Sequence, residues 1–253
     1  MSDLKYRTTK RKKRRPVRQF ILLFLLLLAA AAALAAPTVY KGYRMYRAAI
    51  AQKPLEQAVA EVQKKSGYTV LNQIPPIYQD AVISVEDRRF YWHFGVDPIS
   101  IARAAVKDIS TRSFVEGGST ITQQLAKNLY FSQEKVFARK VAEVFVALDL
   151  ERHYSKQEIL ELYINDIYYG SGYYSISAAS EGYFGKAPDE MTDSECTLLA
   201  GLPNAPSAYS PSESPELARQ RQQQVLAAMV ANRKLTQQQA DAILAADSFQ
   251  TAA

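Results

Sequence analysis

The sequence predicts a mostly α-helical domain held to a membrane by one N-terminal transmembrane helix. Three observations carry this expectation: an uncharged apolar run near the N-terminus, helix-start signatures at Ser155, Thr192 and Thr236, and the lack of a strong alternating strand series. With 253 residues, 48% of them apolar and 22% charged, the chain can bury a substantial core and is neither disordered nor collagen-like. Cys196 is the only cysteine, which rules out an intrachain disulfide. With just His93 and His153 beside it, no zinc finger or three-histidine centre can form. The net charge of +6 is local: of 31 basic and 25 acidic residues, nine basic and one acidic lie in the first forty, leaving 22 and 24 elsewhere. The basicity belongs to a tail, and a nucleic-acid partner is not expected.

Taken in order, residues 1–19 form a basic tail containing Lys10-Arg11-Lys12-Lys13-Arg14-Arg15. Phe20 to Ala36 is a run of 17 apolar residues, and no charge falls between Arg18 and Lys41. At about 1.5 Å per residue, the span 20–40 crosses a hydrocarbon layer of roughly 30 Å. Its basic flank favours the cytoplasmic side, which places the body outside the cytoplasm. The run exceeds the usual core of a cleaved signal, about 7–15 residues, so a retained anchor is expected. Residues 41–67 read as a juxtamembrane helix broken near Pro54, followed by an extended piece at Tyr68 to Leu71.

The main domain is expected over 68–250. Pro75-Pro76 marks a turn, and a buried helix from Ile77 to Val85 delivers Glu86-Asp87 into the cluster Arg88-Arg89-Phe90-Tyr91-Trp92-His93. Gly95 and Pro98 punctuate the exit before a helix from Ile99 to Ile109. In Glu116-Gly117-Gly118-Ser119-Thr120, either Ser119 or Thr120 caps the helix bearing Leu125 and Leu129, leaving N–H groups for an anion. A long helix from about Glu134 to Arg152 is expected to turn Val141, Val144, Phe145 and Leu148 inward. Arg139 and Lys140 precede Glu143 by four and three residues, on the same face. Ser155 and Glu158 have capping-box spacing ahead of inward Ile159, Leu160, Tyr163 and Ile167. Thr192 and Glu195 repeat the signal before Leu198 and Leu199, and Thr236 and Gln239 repeat it again. A Pro-Ser loop at 203–215 separates these from a terminal helical pair.

Glu86 and Glu143 are the candidate chemical groups, because glycosyl chemistry uses one carboxylate as base and a second group to help the leaving group. Ordinary ion pairing is the competing reading, since 57 residues separate them. The Gly-Gly-Ser-Thr turn is either a plain helix cap or, with Lys127, Arg139 and Lys140, a site that neutralises a diphosphate. A phosphate loop ending in Gly-Lys-Ser or Gly-Lys-Thr is absent. Tyr163, Tyr168, Tyr169, Tyr173, Tyr174 and Tyr183 lie among Gly170, Gly172, Gly182 and Gly185, and either line a sugar groove or pack in the core. His93 is a candidate to orient the first carboxylate, whereas Cys196 and His153 read as structural or superficial.

The sequence resembles the peptidoglycan glycosyltransferases, glycosyltransferase family 51, which occur alone or as the first domain of bifunctional penicillin-binding proteins. The matching blocks are Glu86 to Phe90 with His93 and Gly95, Gly117 to Asn128, Arg139 to Glu143, Ile159 to Asn165, Tyr183 to Lys186 and Leu199 to Pro203. The resemblance implies a mostly α, lysozyme-like domain with a small membrane-facing jaw, in a single-pass bacterial cell-membrane protein. It implies polymerisation of lipid II, with inversion, into β-1,4 glycan, with the growing glycan chain as second substrate. By carry-over, Glu86 is the general base and Glu143 supports the diphosphate, directly or through a divalent cation (Mg or Mn) on oxygen ligands. No organic cofactor is implied. Lys127, Arg139 and Lys140 would stabilise the leaving group, and Arg88, His93, Ser119, Thr120, Gln123, Gln124 and Asn128 would bind or position substrate. Transpeptidase or other cell-wall synthesis partners are also implied. Tyr173 and Ser175 depart from the family's Gly and Ala rich stretch and would narrow or rewire the groove. A cell-wall glycan hydrolase and a noncatalytic glycan-binding assembly protein are the alternatives. Ser132 and Lys135 have Ser-x-x-Lys spacing, but no Ser-x-Asn or Lys-Thr-Gly follows, so a second active site is not expected.

Overall fold

The computed structural model describes residues 15–111, 118–131 and 136–246, and these form helices, turns and loops without a strand. The basic run Lys10 to Arg14, Glu116-Gly117, Ser132 to Lys135 and the domain's expected last residues 247–250 lie outside the described residues. The apolar run folds into α1 (Arg15–Gln52), 38 residues long. At about 1.5 Å per residue it measures roughly 57 Å, nearly twice a hydrocarbon layer. Every large side chain from Phe20 to Leu28 is more than half exposed, as an apolar face without protein neighbours must be. By length and composition this is one helix able to cross a membrane.

The sequence suggested a separate juxtamembrane helix, but α1 continues through Pro37 and ends at Gln52. The break falls at Pro54, as expected, because the residue before a proline is disfavoured in helical geometry. α2 (Leu55–Gln63) then buries Leu55, Ala58, Val59 and Val62, which recur at helical spacing and join the main core. Residues 55–62 are thus packed into the domain as well as following the anchor.

Around this core stand α3 (Pro76–Glu86), α4 (Pro98–Thr111), α5 (Ile121–Tyr130), α6 (Phe137–His153), α7 (Lys156–Ile164), α8 (Ile176–Phe184), α9 (Asp193–Gly201), α10 (Pro215–Ala231) and α11 (Gln237–Ala245). α3 packs on α9 and α10, while α5 packs on α6 and α7. All three helix starts read from sequence, at Ser155, Thr192 and Thr236, carry complete capping boxes. The extended piece at residues 68–70 is pinned by α7: Asn165 accepts from the Thr69 N–H at 2.9 Å and donates to the Thr69 carbonyl at 2.8 Å. Glu161 accepts from the Leu71 N–H at 2.7 Å and the Tyr68 hydroxyl at 2.6 Å.

The inner face of α6 differs from the expected one. Ala138, Ala142, Val146, Ala147 and Leu150 are buried with Glu143, whereas Val141, Val144, Phe145 and Leu148 are only partly covered. The reason is that α6 has two neighbours: Val146, Ala147 and Leu150 face the core, and Val141 and Phe145 face α1. Gly42 makes that contact close, since a Cβ there would lie 2.5 Å from the Val141 Cβ and 2.7 Å from the Ala138 carbonyl oxygen. Phe145 stacks on Tyr46 at 5.5 Å and meets the edge of Tyr43 at 5.4 Å, and the Tyr46 hydroxyl donates to Asp149.

Gly42→Leu should therefore wedge α1 from α6. The expected loss is about 1–3 kcal/mol, the usual cost of overpacking a close contact. Unfolding midpoints of the full chain in detergent micelles check this, with Tyr40→Leu, on the exposed surface of the same helix, as the control.

Candidate active site

α3 ends at Glu86, and the turn that follows is organised by Asp87. This buried carboxylate accepts the Ile121 N–H at 3.0 Å and meets His93 Nε2 at 2.9 and 3.0 Å. Thr120 caps α5 and forms a capping box with Gln123, while its hydroxyl donates to the Gly95 carbonyl at 2.7 Å. The N–H groups of Ile121 and Gln123 are therefore consumed inside the protein, and the anion site expected at this helix start is not open at those two groups. His93, a candidate to orient Glu86, holds Asp87 instead. Gly95, at φ +77°, adopts the left-handed geometry this turn needs and lies against the Ala147 carbonyl, 3.0 Å from where a Cβ would be.

This arrangement places Glu86 in a cleft of about 630 Å³ lined also by Ser119, Gln123, Gln124, Lys127, Lys140 and Glu143. The Glu86 side chain is 9% exposed. Gln124 donates to its Oε2 at 2.8 Å, and the Tyr163 hydroxyl reaches the Gln124 carbonyl oxygen at 3.3 Å. Oε1 is buried and has no hydrogen-bond partner. Burial pushes the Glu86 carboxyl above the ordinary range, with Asp87 adding to the effect, against the Gln124 hydrogen bond and the charges of Arg221 and Lys127.

The opposite wall comes from α5 and α6. Glu143 is 1% exposed and is held by Arg139 at 2.8 Å and Lys140 at 2.9 Å, the pairs their spacing anticipated. Lys140 also donates to the Ser119 hydroxyl at 2.6 Å. Burial lowers the Lys127 ammonium, with the Arg139 and Lys140 charges acting in the same direction and Glu143 against them. Among the described residues, no group of three or more His, Cys, Asp or Glu stands together to hold a metal. Both Glu143 oxygens are already engaged by cations, so the residues present here do not fit a divalent ion.

A family model described as transglycosylase matches residues 51–230. The chain belongs to the transglycosylase family. Among curated relatives, penicillin-binding protein 1F of Bacillus subtilis (strain 168) is 48% identical over 159 residues, covering 63% of the chain and 22% of that protein. Penicillin-binding protein 1A of Neisseria gonorrhoeae is 45% identical over 182 residues, covering 72% of the chain and 23% of that protein. Penicillin-binding protein 1A of Aquifex aeolicus (strain VF5) is 44% identical over 176 residues, covering 70% and 24%. The chain thus spans less than a quarter of the length of these relatives. The crystal structure of penicillin-binding protein 1A from Haemophilus influenzae matches 71% of the chain and 17% of its own at 24% identity, with a TM-score of 0.43.

Several residues named from sequence lie off the cleft lining. Arg139 reaches it through Glu143, Thr120 is buried as a cap, Arg88 is exposed, and Asn128 is exposed with a 3.5 Å contact to the Asp166 carbonyl. Four tyrosines of the cluster pack in or against the core, while Tyr174 stays exposed beside Tyr168. Tyr163 and Tyr169 are fully buried, Tyr78 and Tyr169 share a 2.6 Å hydroxyl contact, and Tyr173 lies against Gly182 and the edge of Tyr183. Ser175 caps α8, and neither it nor Tyr173 lines this cleft. The lining that sequence reading missed is Val85, Arg103, Pro203, Asn204, Tyr209, Arg221 and Gln224. Pro203 closes a block already singled out, but Arg221 sits in a run of arginines and glutamines that reads as a solvated helix face.

Asp87→Ala should leave the Ile121 N–H and His93 unpaired and lower stability by about 1–3 kcal/mol, the cost of an orphaned buried group. Arg88→Ala, next to it but exposed, should change stability by less than about 0.5 kcal/mol. Denaturant titration of the two variants measures the difference.

Proposed function

We propose that this domain polymerises lipid II into β-1,4 glycan, with Glu86 as general base and Lys127, Lys140 and Arg139 stabilising the departing diphosphate. The carrying observation is the polarity of the cleft: a buried carboxylate with one unpartnered oxygen on one wall, and a cluster of cations around Glu143 on the other. Transfer of a sugar from a diphosphate requires both. The acceptor hydroxyl gives its proton to Glu86 as its oxygen bonds to the donor's anomeric carbon. The bond from that carbon to the diphosphate breaks, and the leaving oxygen takes the electron pair beside the cations. Attack opposite the leaving group inverts the linkage.

Glu86 suits this role because burial raises its proton affinity toward working pH, while Gln124 leaves Oε1 open. Glu143 acts by orienting Arg139 and Lys140. The anchor supports a lipid-borne substrate. Gly42, just past the uncharged stretch, touches α6 at Ala138 and Val141, so the cations at 139 and 140 stand near the level where α1 leaves the apolar layer. A hydrolase would have no need of that cation cluster, since its leaving group is a sugar. The basic residues before the apolar run favour a cytoplasmic N-terminus and an extracytoplasmic domain.

Glu86→Gln should remove nearly all lipid II polymerisation, a loss of at least about a hundredfold for an absent general base, with an unchanged circular dichroism spectrum. Near-parent turnover in a folded variant would end the assignment. For topology, an impermeant thiol reagent applied to intact cells should label a cysteine introduced near residue 220 and spare one near residue 5, with Cys196 replaced. The opposite pattern would reverse the orientation.

A further inference from the structure

Arg221 reaches the cleft from α10, a helix distant in sequence from Glu86, Lys127, Arg139, Lys140 and Glu143. Its side chain is 11% exposed, and its Nη2 lies 3.7 Å from Glu86 Oε1. Three contacts hold it: Nε donates to the Gly201 carbonyl at 3.2 Å, Nη1 donates to Gln224 Oε1 at 2.9 Å, and the guanidinium stands 5.8 Å from the Tyr209 ring centroid. Gly201 makes room for the arginine stem, since a Cβ there would fall 2.9 Å from the Arg221 Cγ.

We propose that Arg221 is a positioning residue for Glu86, fixed just beyond hydrogen-bonding reach so that it holds the carboxylate in its charged form while leaving Oε1 free to take a proton. The inference rests on the reading of Glu86 as general base. The distance matters because hydrogen bonding fades steeply past about 3.2 Å, whereas attraction between charges falls only inversely with separation. A cation at bonding distance would occupy the lone pair that must receive the hydroxyl proton. Placed at 3.7 Å, the guanidinium offsets the burial of the carboxylate and leaves that lone pair open. The other groups around Glu86 are Asp87 on the adjoining turn, which opposes its ionisation, Lys127 and Gln124 on α5, and the Tyr163 hydroxyl of α7. Lys127 is shared with Glu143, which leaves Arg221 as the cation nearest to Oε1 among the described residues.

The test is the pH profile of kcat/KM for lipid II polymerisation by the full chain in detergent, recorded with unfolding midpoints. Removing a cation raises the proton affinity of Glu86, so the ionised base is lost at higher pH. The acid limb of Arg221→Met should therefore move up by about one pH unit, a loss near tenfold on that limb that closes as pH rises. Arg221→Lys, which keeps the charge, should restore most of the limb. Arg221→Gln, which keeps a donor for Gly201, is the second neutral variant if the methionine form fails to fold. An acid limb unmoved in the neutral variants would overturn the proposal, as would a uniform loss that follows the unfolding midpoint. Glu86→Gln measured alongside separates the two ideas: its retention of activity would remove the base, whereas a dead Glu86→Gln with an unmoved Arg221→Met limb would remove only the arginine's role.

Discussion

The carboxylate of Asp87 joins three segments that would otherwise be independent. The Asp87 backbone N–H closes the end of α3 on the Ile83 carbonyl, while its buried carboxylate holds the His93 turn and receives the first N–H of α5. Its neighbour Glu86 and the Gln124 that grips Glu86 therefore have one mutual geometry, because both hang from elements meeting at this point. A buried acid with these partners has little freedom to shift, since any displacement exposes an unsatisfied N–H. The two sequence blocks that contain Asp87 and Ile121 are 34 residues apart, and this contact is what makes them a single site.

The cleft separates charge. Glu143 is buried with two cations, an arrangement that is costly to break from either side because one uncompensated charge would remain. Glu86, by contrast, is raised by burial and only partly offset. In a medium that screens poorly, these opposed environments differ in what they stabilise: one side favours taking up a proton, the other favours negative charge. The proposed transfer uses each at the place where its step occurs.

The anchor belongs to the same construction. A single helix leaves the apolar stretch and docks on α6 through Gly42 and the Tyr43, Tyr46 and Phe145 rings, and α6 carries the cations. The cleft thus has a set height relative to the uncharged part of α1. A freely hinged tether would give it none.

By itself the sequence determined several helices and their starts, because capping boxes, prolines and apolar periodicity act over three to five residues. The three capping signatures, the break at Pro54, the α3 helix ending at Glu86 and the pairing of Arg139 and Lys140 with Glu143 are all of this local kind. The motif blocks also pointed to about half of the cleft lining. What depended on long-range packing was decided only by the tertiary structure. The inner face of α6 turned because α1 covers the side where the larger apolar residues lie. His93 went to Asp87 rather than Glu86, and Tyr163 and Tyr169 went to the core while Tyr174 stayed exposed. Arg221 entered the cleft because α10 packs on α9 and α3, and its own helix gives no hint of this: a residue is polar or apolar in sequence, but which carboxylate it faces is set by neighbours more than a hundred residues away.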